Sequence, residues 1–297
     1  MSSIRVNPYP MPDLLSALEN LQQQQSTATL ELGTGSTINK PSDNPAGAAQ
    51  VVQIQNASSQ VDSFQQSAGS INSQLSTADS TLSSVVNVLQ RALGLGVQGA
   101  NGTLSDTDRS AIVDELSGIQ SQLMSLANTT YQGQFLFAGT AGVQPFVADA
   151  NASSGVSYKG NSGTNFVTIG NGYQVQVNLP GSQVFNGPGA DVFQAIHDLI
   201  SALNANSGIP DAVTEVTNAY NYVTSQRVFY GNTMNQAQGQ QAFLNMEKVN
   251  LSQQENTVAS ADMATVASQL ASDQTAINAT LSAIGSMPRT SLFDYLK

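Results

Sequence analysis

The sequence contains no cysteine and no tryptophan, and its one histidine is His197. Without thiols the chain can form no disulfide, thiolate metal site or cysteine nucleophile. Zinc sites rich in histidine and catalytic clusters built on several histidines are disfavoured as well. His197 lies between Ile196 and Asp198, and no nucleophile or orienting group stands out around it, so we interpret it as a structural or surface residue. The sequence therefore predicts a protein that is not an enzyme and holds no metal or cofactor.

Charged residues are also scarce, at 10% of the 297 residues. Acidic residues outnumber basic ones by 20 to 9, which gives a net charge of −11. Soluble domains usually carry about 25% charged residues. Because a nucleic-acid binder needs a basic footprint, we expect no nucleic-acid partner. A sparsely charged surface rich in Ser, Thr, Asn and Gln can approach copies of itself without strong repulsion, so the composition suits a subunit of an assembly.

Long apolar runs are missing too. The first residues lack the apolar segment of a secretory signal, and no stretch approaches the roughly 18 apolar residues of a membrane-spanning helix. We therefore expect a soluble protein without membrane insertion. If the protein is exported, we expect a route that does not cleave a signal.

The most regular pattern follows Pro45, where apolar residues alternate three and four positions apart without a break. This spacing is the a/d seam of a coiled-coil helix. Asn44 is the predicted N-cap and Pro45 the first helical residue, and the glycines at 94, 96, 99 and 102 are predicted to end the helix. A helix of this length predicts an elongated molecule. The seam consists of Ile54, Ala57, Val61, Phe64, Ala68, Ile71, Leu75, Ala78, Leu82, Val85, Leu89 and Ala92.

Three further patterns organise the rest of the chain. A second helix, capped by Ser105, should fold back on the first as an αα-hairpin. From about 135 to 189, short alternating runs and the turn sequence Gly170-Asn-Gly predict a small β-rich insert. Helical periodicity resumes after 191 and continues to the C-terminal part, while the first forty residues carry a weaker stripe interrupted by Gln25. The C-terminal stripe is interrupted near Asp262 and Asp273.

Arg227 falls on an otherwise apolar helical track. Two interpretations stay open for it. The side chain can lay its stem on the apolar surface with the charge in solvent, or it can form a specific ion pair that sets the register of packed helices.

Four stretches carry a resemblance to a known family. They are residues 33–46 (GTGSTINKPSDNPA); residues 101–109 (NGTLSDTDR) with 122–128 (QLMSLAN) and 135–139 (FLFAG); residues 227–235 (RVFYGNTMN); and residues 260–264 (SADMA) with the tail 291–296 (SLFDYL). Together they resemble the flagellin superfamily of bacterial flagellar proteins, and within it the hook–filament junction proteins. The tail and the 101–106 stretch favour a junction protein, with flagellin, the bulk filament subunit, as the alternative.

The resemblance implies a mainly α, elongated rod of long antiparallel coiled-coil-like helices with a small β-rich outer insert. Helical arms at 1–44 and 252–297 would form an inner coiled-coil layer, 45–140 and 190–251 the rod, and 141–189 the insert. Helical seams flank that insert, so we expect the rod to fold even when about 142–187 is removed. A surface binding module made by the insert is a third, secondary interpretation.

The resemblance also implies partners and a location. The partners would be hook-associated protein 1, flagellin, further copies of the chain in a ring, and a cytoplasmic export chaperone. The protein would serve motility outside the cell, after export through the flagellar type III apparatus. The residues that we expect to carry packing and assembly are Ile54, Val61, Phe64, Ile71, Leu75, Leu82, Leu89, Arg227, Leu292, Phe293 and Leu296.

Overall fold

A computed structural model describes residues 11–286 of the chain. Seven helices dominate this part of it, and eight short strands lie between the third and fifth helices. The helices are α1 (Met11–Thr34), α2 (Pro45–Gly99), α3 (Asp106–Ala127), α4 (Gly181–Val184), α5 (Val192–Ala205), α6 (Ile209–Ala259) and α7 (Met263–Ser286). The prediction of a mainly α fold with a small β-rich region is confirmed.

The strands form four separate antiparallel pairs, each of two strands. They are β1 (Thr130–Tyr131) with β2 (Gln134–Phe135), β3 (Phe146–Ala148) with β4 (Val156–Tyr158), β5 (Phe166–Gly170) with β6 (Tyr173–Gln176), and β7 (Asn186–Gly187) with β8 (Ala190–Asp191). The turn predicted at Gly170-Asn-Gly joins β5 to β6, and Gly172 adopts a positive φ of 73° there. The β1–β2 pair begins before 135, so the β structure starts earlier than the sequence indicates.

The described part of the chain divides into two compact units, one formed by 60–247 and the other by 11–59 with 248–286. In the 60–247 unit, the α2 seam is buried from Ile71 to Ala92, and it packs with α3, α5 and α6 around one hydrophobic core. Arg91 of α2 forms a hydrogen-bonded ion pair with Glu115 of α3, as expected for the predicted αα-hairpin. Ser105 caps α3 by accepting a hydrogen bond from the Asp108 N–H at 3.2 Å.

The glycines near the end of α2 end the helix as the sequence predicts, but not at the first of them. The helix runs through Gly94 and Gly96 and ends at Gly99. A Cβ on Gly96 would lie 2.7 Å from a methyl group of Val213, and one on Gly99 would collide with Leu203. These two glycines therefore allow α5 and α6 to approach α2 closely, which offsets their low helix propensity.

An aromatic cluster joins the β-rich region to the helices of the same unit. The ring of Phe146 lies 5.1 Å from Phe193 of α5 and 5.2 Å from Phe185, and Phe185 lies 6.2 Å from Phe193. The Asn128 side chain pairs with the backbone of Phe146 through two hydrogen bonds, of 2.8 and 2.9 Å. The β-rich region thus shares the core of the helices instead of forming a core of its own.

The second unit contains the helical arms. Helix α1 packs against α7, and the Gln25 amide donates to the Gln274 side chain at 2.8 Å. The Asn44 side chain accepts a hydrogen bond from the Gly47 N–H at 2.9 Å, which confirms the predicted start of α2. Asp262 caps α7 by accepting from the Ala264 and Thr265 N–H groups. Hydrogen bonds from Thr265 and Ala264 hold the pKa of this carboxyl below its usual value.

Candidate functional site

The predicted packing residues on α2 are largely buried within the chain. In the 60–247 unit, this group is buried apart from Phe64, which is half-buried. The buried members are Val61, Ile71, Leu75, Leu82 and Leu89. Ile54, in the other unit, is half-buried. Leu292, Phe293 and Leu296 lie outside the described residues. A role for any of these side chains in assembly stays a prediction.

Arg227 forms an ion pair that the sequence left as one of two alternatives. Its Nε donates to one oxygen of Asp79 at 2.9 Å, and its second terminal nitrogen donates to the other oxygen at 3.0 Å. The exposed fractions of the two side chains are 31% and 27%. The Asp79 hydrogen bond raises the pKa of the Arg227 guanidinium. Because two nitrogens of Arg227 bond the two oxygens of Asp79, the ion pair holds α6 against α2 at a fixed register.

We expect this pair to contribute measurably to stability. In a double-mutant cycle with Asp79→Asn and Arg227→Met, the coupling free energy should be about 1 kcal/mol, because the pair is bidentate and partly desolvated. The exposed pair of Arg91 and Glu115 is the matched control, and its coupling should be only about 0.3 kcal/mol. Urea unfolding of the four variants in each cycle measures both values. Equal coupling in the two cycles would contradict a register-setting role for Arg227.

A groove opens beside the β1–β2 hairpin in the same unit. Its volume is about 610 Å³, and its lining contains no charged side chain. Ser70 and Gln74 of α2 form one wall, while the hairpin and the loop at 139–142 form the other. Asn178, one of the lining residues, is buried; its side chain accepts a hydrogen bond from the Asn165 N–H at 2.6 Å and donates one to the Gly139 carbonyl at 3.1 Å. The groove is therefore a polar surface whose lining carries no charge.

The arms bury few apolar side chains between them. The described part of α1 and α7 buries Ala28, Val266 and Ile277, whereas five large apolar side chains of these helices stay exposed. The exposed ones are Met11, Leu15, Leu30, Met263 and Leu281. Asp273, one of the gaps in the sequence stripe, is only 2% exposed, and one of its carboxylate oxygens has no hydrogen-bond partner. The arm pair is thus an incomplete core by itself.

Acidic side chains meet where α5 lies against the start of α6. Burial first, and then the neighbouring Asp198 carboxylate, raise the pKa of Glu215 above its ordinary value. A carboxyl whose pKa is raised in the folded state contributes stability at low pH and loses it as the pH rises through that pKa.

We therefore expect Glu215→Gln to be more stable than the natural chain at neutral pH. The gain should stay below about 1 kcal/mol because Glu215 is largely exposed to solvent. The gain in stability should become smaller as the pH is lowered towards the ordinary pKa of a glutamate. There Glu215 is already protonated in the folded chain and no longer repels Asp198. Urea unfolding at several pH values measures the difference, and a gain that is independent of pH would refute the electrostatic cause.

Within residues 11–286, no group of three or more His, Cys, Asp and Glu side chains is placed to hold a metal ion. None of the helices in that range is long and apolar enough to cross a membrane.

Comparison with known proteins connects these features to a family. Residues 10–142 match the family described as bacterial flagellin N-terminal helical region. Flagellar hook-associated protein 3 of Salmonella typhimurium is 30% identical over 173 residues, which cover 58% of this chain and 53% of that protein. Its Escherichia coli counterpart is 24% identical over 305 residues, covering 95% of this chain and 96% of that protein. Flagellin of Listeria innocua also matches, at 26% identity over 254 residues.

The fold has solved counterparts as well. The structure of a flagellar hook-associated protein from Vibrio parahaemolyticus superimposes with a TM-score of 0.68 at 22% identity. It covers 73% of this chain and all of that one. The flagellin-like fold inferred from the sequence is therefore confirmed. The helical match at the N-terminal side, the near full-length relative and the shared fold agree: the chain is similar to proteins of the flagellin superfamily.

Proposed function

We propose that this chain is a structural subunit of the bacterial flagellum that joins the hook to the flagellin filament. The observation that carries this proposal is the alignment with hook-associated protein 3 of Escherichia coli, which covers 95% of this chain and 96% of that protein. The matched segment of the Salmonella protein spans only about half of its length, 53%. A structural role also suits a chain whose relatives are flagellar structural proteins.

The proposal includes specific neighbours. Hook-associated protein 1 lies on the hook side, flagellin lies on the filament side, and copies of this chain form a ring between them. A chaperone holds the chain in the cytoplasm before export. The flagellar type III apparatus passes the chain outward unfolded and without a cleaved signal, a route with which the absence of cysteine is compatible.

The arms have a defined task in this proposal. The segments 1–44 and 252–297 form the inner coiled-coil layer, 45–140 and 190–251 the rod, and 141–189 the outer insert. Helix α6 continues without a break through the boundary at 252, and the described helices break instead at 260–262. The exposed apolar side chains of α1 and α7 are the surface that neighbouring subunits cover.

We expect the arms to order only on assembly. In the free monomer, amide hydrogens of 11–34 and 263–286 should exchange at least about 100-fold faster than those of the buried α2 seam, because an incomplete core offsets little of the ordering entropy. In the assembled flagellum, the difference in exchange rate between the arms and the α2 seam should become smaller. Arms protected as strongly as the α2 seam, in a protein verified as monomeric, would contradict the coupled ordering.

Flagellin, the bulk filament subunit, is the alternative function, favoured by the family match at 10–142 and by the Listeria flagellin. Copy number separates the two functions. Quantitative mass spectrometry of flagella sheared with their hooks should find this chain at a small ring's worth of copies per filament. An abundance close to that of the main filament protein would replace the junction proposal with the flagellin one.

A further inference from the structure

The sequence contains three asparagines that are followed directly by glycine, at 101, 171 and 186. The two residues of such a pair can react with each other. Glycine has no side chain to hinder its own backbone nitrogen, which can therefore reach the side-chain amide carbon of the asparagine. In a folded chain, the reaction also depends on how firmly the structure holds the asparagine and how much room surrounds the glycine. The three pairs differ in these respects.

Asn171 and Gly172 form the exposed tip of the β5–β6 hairpin. The side chain of Asn171 makes no hydrogen bond to any other residue in the described part of the chain. A Cβ added to Gly172 would meet no atom within 4 Å, so the space around this glycine is open. The Asn171 amide is therefore free to turn towards the Gly172 nitrogen.

The other two asparagines are held by hydrogen bonds. The side-chain oxygen of Asn101 accepts from the Thr103 N–H at 3.2 Å and from the Thr103 hydroxyl at 2.9 Å. The side-chain amide of Asn186 donates to the Asp191 carboxylate at 2.6 Å, and the following Gly187 is buried. Both side chains must give up these bonds before they can react.

We propose that Asn171 is a site of spontaneous deamidation, a covalent modification that needs no enzyme. The backbone nitrogen of Gly172 attacks the side-chain carbon Cγ of Asn171 and closes a five-membered succinimide ring. The bond from Cγ to Nδ2 breaks, and Nδ2 leaves as ammonia, taking up the proton that the Gly172 nitrogen loses. Water then opens the ring at one of its two carbonyls, which leaves either aspartate or isoaspartate at position 171.

The modification changes both the charge and the backbone of the hairpin. No residue from 160 to 190 is charged, so the new carboxylate is the first charge in this segment. Isoaspartate also adds a carbon atom to the main chain of the two-residue turn, and the geometry of such a turn sets the register of the strands that it joins. The isoaspartate form therefore weakens the pairing of β5 with β6. This chemistry is independent of the proposed function.

Peptide mapping by mass spectrometry tests the proposal on the purified full chain after incubation in mildly alkaline buffer. We expect the acid to form at 171 at least about tenfold faster than at 101 or 186, because the held side chains must first break their hydrogen bonds. A methyltransferase specific for isoaspartate, supplied with labelled S-adenosylmethionine, measures the isoaspartate in the same samples. Asn171→Gln is the matched control, since glutamine closes a larger ring much more slowly, and this variant should lose most of the methyl label.

The same chain unfolded in urea separates the effect of the fold from that of the local sequence. In urea the three pairs should react at similar rates, because no structure holds any of them. Faster reaction at 171 in the folded chain alone supports the proposal. Absence of acid at 171, an equal rate at 101 or 186 in the folded chain, or a rate difference that persists in urea would overturn it. Undiminished methyl label in Asn171→Gln would overturn it as well.

Discussion

A chain with Tyr230 replaced by alanine is expected to lose about 3–5 kcal/mol of its free energy of unfolding, because removal of a fully buried aromatic side chain leaves a large cavity. Tyr230 is 1% exposed, and its ring packs edge-on to Phe229 at 5.3 Å. Its hydroxyl accepts a hydrogen bond from the Leu179 N–H at 3.4 Å, a long distance for such a bond. Tyr230→Phe, which keeps the ring, should therefore cost no more than about 1 kcal/mol.

The same residue predicts a sensitivity to alkaline pH. Burial raises the pKa of Tyr230 above its ordinary value of 10.0. Above that ordinary pKa the unfolded chain gains by ionising this phenol, so stability falls as the pH rises. The stability of the Tyr230→Phe variant should fall less steeply with rising pH, because phenylalanine has no phenol to ionise in the unfolded chain. Urea unfolding followed by circular dichroism, at neutral and at alkaline pH, measures both effects. Equal costs for the alanine and phenylalanine variants would contradict the packing role of the ring.

Removing residues 142–187 and closing the gap with a short Gly-Ser linker should abolish cooperative unfolding of the 60–247 unit. The deletion removes Phe146 and Phe185, whose rings pack on Phe193 of α5, and it also removes the Leu179 contact of Tyr230. Each buried Phe contributes about 3–5 kcal/mol, a large part of the stability of an ordinary domain.

Calorimetry and binding of an apolar dye test this deletion. We expect a broad or absent thermal transition and strong dye binding. A control deletion of 150–153, confined to the turn between β3 and β4, should shift the melting temperature only slightly, because most of that turn is exposed. A sharp transition at an unchanged temperature in the variant that lacks 142–187 would contradict this expectation. It would support the interpretation from the sequence that the rod folds without the insert.

The helices could be predicted because their signals are local and repeated. The a/d seam of α2, the Asn44 and Ser105 caps and the turn at 170–172 all follow from residues within a few positions of one another. Which of the four glycines ends the helix could not be inferred in the same way. Gly94 and Gly96 resemble stop signals in sequence, but the side chains that require Gly96 and Gly99 lie more than a hundred positions further along, on α5 and α6.

The ion pair of Arg227 shows the same division. Arg227 stands out in sequence as a charge on an apolar track, but its partner Asp79 lies 148 positions away and is found only in the folded chain.

Localisation of the chain on intact flagella tests the central claim most directly. Asn151 is exposed in the turn between β3 and β4, and the chain has no natural cysteine, so Asn151→Cys creates a single thiol for maleimide-linked gold. The unchanged chain is the control for background labelling. A junction subunit predicts gold confined to one narrow band where hook and filament meet, as seen by electron microscopy. Gold distributed along the length of the filament would contradict the account.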